Sequence, residues 1–331
     1  MPIRNRQWLL ASRPKGPVDP SNFRLVEAEA PAPRDGQVLV KVLYLSLDPY
    51  MRARMDEARS YAPSQKLDEV MIGGTVGEVV ESRNPRWPQG QIVVGTGGWQ
   101  EYFVSDGGGL LPVDARTLSP SVYLGAVGMP GITAWYGLGR IGRPKAGETV
   151  VVSAAAGAVG SVVGQLAKLA GCRAVGVAGG PAKCQHAVKE LGLDACLDYR
   201  AADFREAFRA ATPDGIDVVF ENVGGAILDA SLSRMNAFGR VALCGLIAGY
   251  DGQDIGIRNA RSILVNRLTV QGFIVSDHMD LWPQAMKELG ALVFQGKLRY
   301  RETVAQGIES APRAFIGLLR GENLGKQLVR M

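Results

Sequence analysis

Val150-Val-Val-Ser-Ala-Ala-Ala-Gly-Ala-Val-Gly-Ser-Val-Val-Gly-Gln-Leu-Ala-Lys168 decides the fold. An apolar, β-branched run ends in small residues, meets Gly157-x-x-Gly160 and becomes a helix pattern. This is the strand–turn–helix of a dinucleotide-binding unit, with Ala155 where the first glycine of G-x-G-x-x-G would stand. Gly157 lets the backbone approach a pyrophosphate, and Gly160 lets the helix pack closely on the strand. The helix start at Ala158, Val159 and Gly160 presents N–H groups to phosphate. The uncharged run from Val150 to Ala167 is near the length of a short membrane span. But Ser153, Gly157, Gly160, Ser161, Gly164 and Gln165 dilute it, and its β-branched start fits a strand better. A nicotinamide oxidoreductase is the leading expectation.

The rest of the chain narrows the class. A length of 331 residues suggests about two domains. Met1-Pro-Ile-Arg-Asn-Arg-Gln lacks a following apolar run, so no signal peptide and a cytoplasmic location are expected. The net charge of +5 comes from scattered basic residues, which reads as a solvated surface and not a nucleic-acid footprint. The cysteines, Cys172, Cys184, Cys196 and Cys244, form no C-x-x-C pair and read as buried free thiols. The histidines are His186 and His278, and residues 1–171 hold neither Cys nor His. A zinc site there would need carboxylates alone, which suits Zn²⁺ poorly, so no metal is expected.

The texture changes along the chain. Residues up to about 125 read as β-rich, with strand candidates at Gln37–Leu47, Gly74–Ser82 and Gln91–Gly95. These predict a twisted, partly closed antiparallel barrel. From Gly147, strands alternate with helices. The strands are 149–153, 173–177, 195–198, 217–221, 240–244 and 268–275. The helices are 158–170, 181–191, 204–211, 226–235 and 279–295. Repeated βα units imply a parallel sheet covered on both faces. The tail reverts: a strand near 301–305, a helix over 311–320 and a closing strand at 326–330.

Tyr123-Leu-Gly-Ala-Val-Gly-Met-Pro-Gly-Ile-Thr-Ala-Trp-Tyr-Gly-Leu joins the glycine turn in a larger pattern. With Asp48-Pro-Tyr-Met-Arg, Phe220-Glu-Asn-Val-Gly-Gly, Asn236-Ala-Phe-Gly-Arg and Glu322-Asn-Leu-Gly-Lys, it resembles the medium-chain dehydrogenase/reductases. More narrowly, it resembles the zinc-free branch of leukotriene dehydrogenase/prostaglandin reductase, alkenal double-bond reductases and curcumin reductase. The resemblance implies an α/β fold in which a Rossmann doubly wound parallel sheet is inserted in a GroES-like β-barrel domain. It divides the chain into 1–126, 127–296 and a return at 297–331. It also implies NADP(H), an α,β-unsaturated carbonyl substrate and a homodimer. Neither nucleic acid nor membrane is an expected partner. Relatives carry a proline-rich loop after the tyrosine matching Tyr250; here Asp251-Gly-Gln-Asp follows, which leaves substrate identity open.

Cofactor choice has its own sequence signal. NAD-preferring units place Asp or Glu at the end of the second strand. Here that strand ends Ala178-Gly179-Gly180-Pro-Ala-Lys183, with no acid, room at Gly179 and a positive charge at Lys183. An exposed helix lysine is the plainer reading of Lys183. The resemblance adds Tyr199, Asn222 and Asn323 around the cofactor. It also suggests Tyr250 and Tyr50 as hydroxyl donors to a developing enolate, with Tyr61 and Met129 lining the substrate. Two of these have a packing alternative: Tyr50 between strands, Met129 in the core. Competing functions are a zinc-free quinone reductase and a non-catalytic, crystallin-like cofactor binder.

Overall fold

The computed structural model describes residues 3–331. The chain divides into two compact units. The first runs to Leu124 and takes in Glu302–Asn323 and Gln327–Met331; the second holds Gly125–Arg301 with Leu324–Lys326.

In the first unit, β1 (Arg4–Leu10) and β2 (Phe23–Glu29) form an antiparallel ribbon. Then come β3 (Val38–Ser46), the short α1 (Tyr50–Arg54), β4 (Thr75–Ser82), β5 (Ile92–Gly95), β6 (Tyr102–Ser105) and β7 (Leu111–Pro112). β3 pairs antiparallel with both β4 and β6, and β5 with β4 and β7. Val38, Val40 and Val42 share one face of β3 and pack with Val79, Val93, Phe103 and Trp87.

In the second unit, β8 (Thr149–Ser153), β9 (Arg173–Ala178), β10 (Ala195–Asp198), β11 (Ile216–Glu221), β12 (Met235–Leu243) and β13 (Thr269–Gly272) form one sheet. Its order is β10-β9-β8-β11-β12-β13, all parallel. All of β8 is buried, as a strand covered on both faces must be. α2 (Met129–Tyr136) precedes the sheet. α3 (Gly160–Leu169), α4 (Pro181–Lys189), α5 (Phe204–Ala211), α6 (Gly225–Leu232), α7 (Ala260–Val265) and α8 (Trp282–Phe294) accompany it. The chain leaves β8 toward β9 on one side and returns at β11 on the other. The crevice at the β8 and β11 carboxyl ends is therefore the topological switch point.

Several expected bounds are corrected. α3 starts at Gly160, so Ala158 and Val159 belong to the turn. β12 begins at Met235, because a bulge with Phe238 at φ 64 lets the strand start early. β13 is only Thr269–Gly272. α8 starts at Trp282, where Pro283 suits the first turn, and a 3-10 stretch at Val275–Leu281 precedes it.

The chain then re-enters the first unit with β14 (Glu302–Gln306), α9 (Ala311–Leu319) and β15 (Lys326–Arg330). β15 pairs antiparallel with β3, Leu328 opposite Ser46. From α9, Phe315 meets Trp99 edge-on at 5.5 Å, and Trp99 stacks on Phe23 at 5.2 Å. Each such pair contributes about 0.5–1.5 kcal/mol beyond burial. This cluster fastens the tail of the chain to its beginning.

Candidate functional site

The turn after β8 is built by close approaches. Ala154 takes a left-handed conformation, φ 51, and ends the strand abruptly. A Cβ on Gly160 would lie 2.3 Å from the Ala154 carbonyl oxygen, so only glycine lets α3 begin there. Ala155 stands in the place of the motif's first glycine, and its methyl is fully buried. The room comes from the next strand: a Cβ on Gly176 would sit 2.7 Å from the Ala155 Cβ. The Gly157 amide donates to the Ala154 carbonyl at 2.9 Å, and Ser161 to Gly157 at 3.0 Å. The amides of Ala158, Val159 and Gly160 stand at the start of this ladder, where an anion is favoured. Behind the turn, the Gly325 amide donates to the Ala156 carbonyl at 2.9 Å, and Leu324 packs against Ala156 and Ala178. That support from the C-terminal segment has no local sequence signal.

The β8 and β11 ends are tied together. Ser153 Oγ donates to Glu221 Oε1 at 2.7 Å, as do the amides of Val223 at 2.6 Å and Gly224 at 2.8 Å. The Asn222 amide donates to Ser153 Oγ at 2.7 Å, and Asn222 Nδ2 to the Ser153 carbonyl at 2.8 Å. Burial raises the pKa of the Glu221 carboxyl despite these donors. Sequence reasoning missed Glu221. Its one signal is a carboxylate closing the apolar run Val218-Val-Phe-Glu221. The loop of Tyr250 hangs on the same edge: Ile247 donates to the Asn222 carbonyl at 3.2 Å and Ala248 to the Val223 carbonyl at 3.0 Å. Tyr250 itself is half-buried in the turn that follows.

At the β9 end, Gly179 and Gly180 precede α4, with Lys183 half-buried in its first turn. A Cβ on Gly179 would lie 3.0 Å from the Tyr199 ring, so Tyr199 folds over this glycine. The nearby acid is Asp198 on β10, not a residue of β9. Its Oδ1 accepts from the Gly180 amide at 2.9 Å and the Arg200 amide at 3.0 Å, which hold its pKa below the usual range. Burial, and then the Arg200 charge, push the Lys183 pKa down. The second unit thus brings together Ala155, Gly157, Ala158, Val159, Gly160, Gly179, Lys183, Tyr199, Asn222 and Tyr250 along the carboxyl ends of its strands. Met129 is the first residue of α2, half-buried, its carbonyl accepting from Thr133 Oγ1 at 2.7 Å.

Tyr50, Tyr61 and Asn323 belong to the first unit. Tyr50 opens α1 and packs on the Met51, Met55 and Trp99 core. Burial and then the charge of Asp48 raise its pKa well above the ordinary tyrosine value, so its hydroxyl keeps its proton. Tyr61 is exposed, and Asn323 is buried.

The glycine cradle and the acid-free, cationic β9 end suit a phosphorylated dinucleotide. Residues 6–113 match the family described as "N-terminal domain of oxidoreductase", and residues 158–291 that described as "Zinc-binding dehydrogenase". Among the described residues, no group of three or more His, Cys, Asp or Glu could hold a metal ion. The NADPH-dependent curcumin reductase of Escherichia coli (strain K12) is 47% identical over 335 residues, spanning 99% of this chain and 97% of that protein. The 2-alkenal reductase (NADP(+)-dependent) of Nicotiana tabacum is 40% identical over 334 residues, 99% of this chain and 97% of that protein. The crystal structure of CurA from Vibrio vulnificus in complex with NADPH matches with a TM-score of 0.94 at 46% identity, covering 98% of this chain and 99% of that one. With identity of this order over nearly its whole length, the chain belongs to the medium-chain dehydrogenase/reductases, in the branch of the curcumin and 2-alkenal reductases.

Proposed function

We propose that this chain is an NADPH-dependent reductase of carbon–carbon double bonds conjugated to a carbonyl, in enals and enones. The observation that carries the reading is the second unit's carboxyl edge. A phosphate-ready glycine turn lies there, at a strand end that offers Lys183 and no acid to the cofactor ribose. Curcumin reductase and 2-alkenal reductase, so similar along their length, supply the reaction class. The work divides between residues 1–126 with 297–331, for substrate, and 127–296, for cofactor.

Ala155, Gly157, Ala158, Val159 and Gly160 would hold the pyrophosphate, with Gly179, Lys183 and Tyr199 at the 2′-phosphate and Asn222 and Asn323 along the rest. When bound, NADPH supplies the hydride. The protein would orient the substrate with its β-carbon toward that hydride, so that negative charge would develop on the carbonyl oxygen. Tyr250 of the second unit and Tyr50 of the first are each a candidate hydroxyl donor to that oxygen, and such a donor would lower the barrier. The raised pKa of Tyr50 suits this role, since only the protonated hydroxyl donates. Tyr61 and Met129 line the substrate. The α-carbon proton comes from solvent. The reaction needs no metal, because the donors that zinc prefers are absent from residues 1–171.

The chain acts in the cytoplasm as a homodimer; among the described residues, no helix is long and apolar enough to cross a membrane. The dimer reading is supported by the second unit's sheet, which ends at β13, an exposed strand. Phe238 and Leu264, 67% and 80% exposed, add apolar surface to the same unit.

Reduction with NADPH deuterated at C4 tests the chemistry. Label should appear at the β-carbon of a saturated carbonyl product, with the α-hydrogen drawn from solvent. Label on the carbonyl carbon, giving an unsaturated alcohol, would reject the mechanism.

A further inference from the structure

We infer that Arg200 is a second cationic ligand of the cofactor's 2′-phosphate, working with Lys183 and held in place by the Tyr199 ring. This rests on the NADPH reading above and adds a specificity-determining residue to it. Arg200 is exposed and lies against the Tyr199 ring. Its guanidinium carbon lies 5.5 Å from the centroid of the Tyr199 ring, and its Nε is 3.4 Å from the Tyr199 hydroxyl. It also reaches back over the end of β9: a Cβ on Gly179 would stand 3.3 Å from the Arg200 Nε. The guanidinium therefore occupies the corner where an NAD-preferring unit carries its ribose-binding acid.

Charge points the same way. Among the described residues, Arg200 forms no salt bridge. Its neighbour Asp198 is turned to the backbone, with Oδ1 on the amides of Gly180 and Arg200. Arg200 is close enough to depress the Lys183 pKa. Two cations sharing a corner repel each other, and a dianion between them reverses the sign of that interaction. A phosphate monoester fits the donor set, because a guanidinium fork binds two of its oxygens while an ammonium adds a point charge. The ribose hydroxyl of NADH would offer the Arg200 guanidinium no charge to pair with. The missing Cβ of Gly179 keeps the corner open, and the Tyr199 ring limits the guanidinium's freedom before the ligand arrives.

Calorimetry on the apoprotein with 2′,5′-ADP and 5′-AMP isolates the 2′-phosphate without turnover. The wild type should prefer 2′,5′-ADP. Arg200→Gln should reduce that preference by roughly tenfold or more, while changing 5′-AMP affinity less than about threefold. Arg200→Lys, which keeps the charge and loses the fork, should recover part of it. If Lys183→Ala lowers the preference and Arg200→Gln does not, Arg200 is no ligand and the NADPH reading stands. If Arg200→Gln weakens both ligands equally, the residue shapes the adenosine site and the inference is wrong. A wild type that does not distinguish the two ligands would overturn the NADPH reading itself, and the inference with it.

Discussion

Gly176→Ala tests how the glycine turn tolerates Ala155. The new methyl would lie 2.7 Å from the Ala155 Cβ, 3.0 Å from Cys196 Sγ and 3.0 Å from Leu193 Cδ2. Overpacking of this kind costs about 1–3 kcal/mol. Alanine also restricts the unfolded chain, which offsets roughly 0.4–1 kcal/mol. Gly176 is not at positive φ, so that gain applies. The clash should win, leaving a net loss of about 1–2 kcal/mol and a melting temperature lower by roughly 1–3 °C. Ala155→Gly alone should cost about 0.5–1 kcal/mol through backbone freedom. Together, the two changes remove the tightest contact and leave only the Leu193 and Cys196 approaches. The double variant should therefore be more stable than the sum predicts, by about 0.5 kcal/mol or more. Urea unfolding of the apoprotein, with equal m-values across the four proteins, measures this. Additivity within about 0.3 kcal/mol, or a Gly176→Ala variant as stable as wild type, would refute the reasoning.

Tyr250→Phe should lower kcat for enones and leave NADPH affinity nearly intact; one strongly preorganised donor can contribute up to about 2.7–4 kcal/mol, and a shared one less. Unchanged kinetics across several enones would make Tyr250 a pocket wall. Dialysis against a strong chelator should leave activity unchanged, and loss restored by zinc would contradict the metal-free reading. Glu148 gives a pH prediction. Burial alone would raise its pKa, but Arg240, 2.5 Å away, and the Lys145 amide at 2.8 Å lower it further than burial raises it. A folded-state pKa below the unfolded value, about 4.3, adds stability above that pH and loses it as pH falls through the folded value. Arg240→Gln should flatten part of the acid-side loss of stability below roughly pH 4, and an unchanged acid profile would count against the pair.

Much of this protein is legible in residue order, because some of its constraints are local. A β-branched run followed by Gly157-x-x-Gly160 commits strand, turn and helix, since backbone conformation and side-chain volume act over a few residues. The alternation that follows commits a parallel sheet, and Lys183 with no acid at the β9 end indicates the cofactor. Element ends were less legible. Ala158 and Val159 extend an apolar helical pattern, yet the close approach of Gly160 to Ala154 delays the helix.

Other features depend on contacts between residues far apart in the chain. Ala155 breaks the glycine pattern, and its compensation lies on a neighbouring strand at Gly176, where the sheet's register brings them together. Glu221 reads as a strand-end carboxylate; only the pairing of β11 with β8 turns it onto Ser153. Leu324 and Gly325 follow the first unit's last helix, but hydrogen bonding and packing commit them to the glycine turn. Arg200 reads as an ordinary charged residue after Tyr199. Only the parallel pairing of β9 with β10 brings it over Gly179 and into range of Lys183. By itself, residue order determined the elements and the dinucleotide motif, because turns, strands and helices answer to local sterics. Tertiary structure decided which charges meet and which methyl groups fit, because Coulomb and packing energies depend on distance in space and not on separation along the chain.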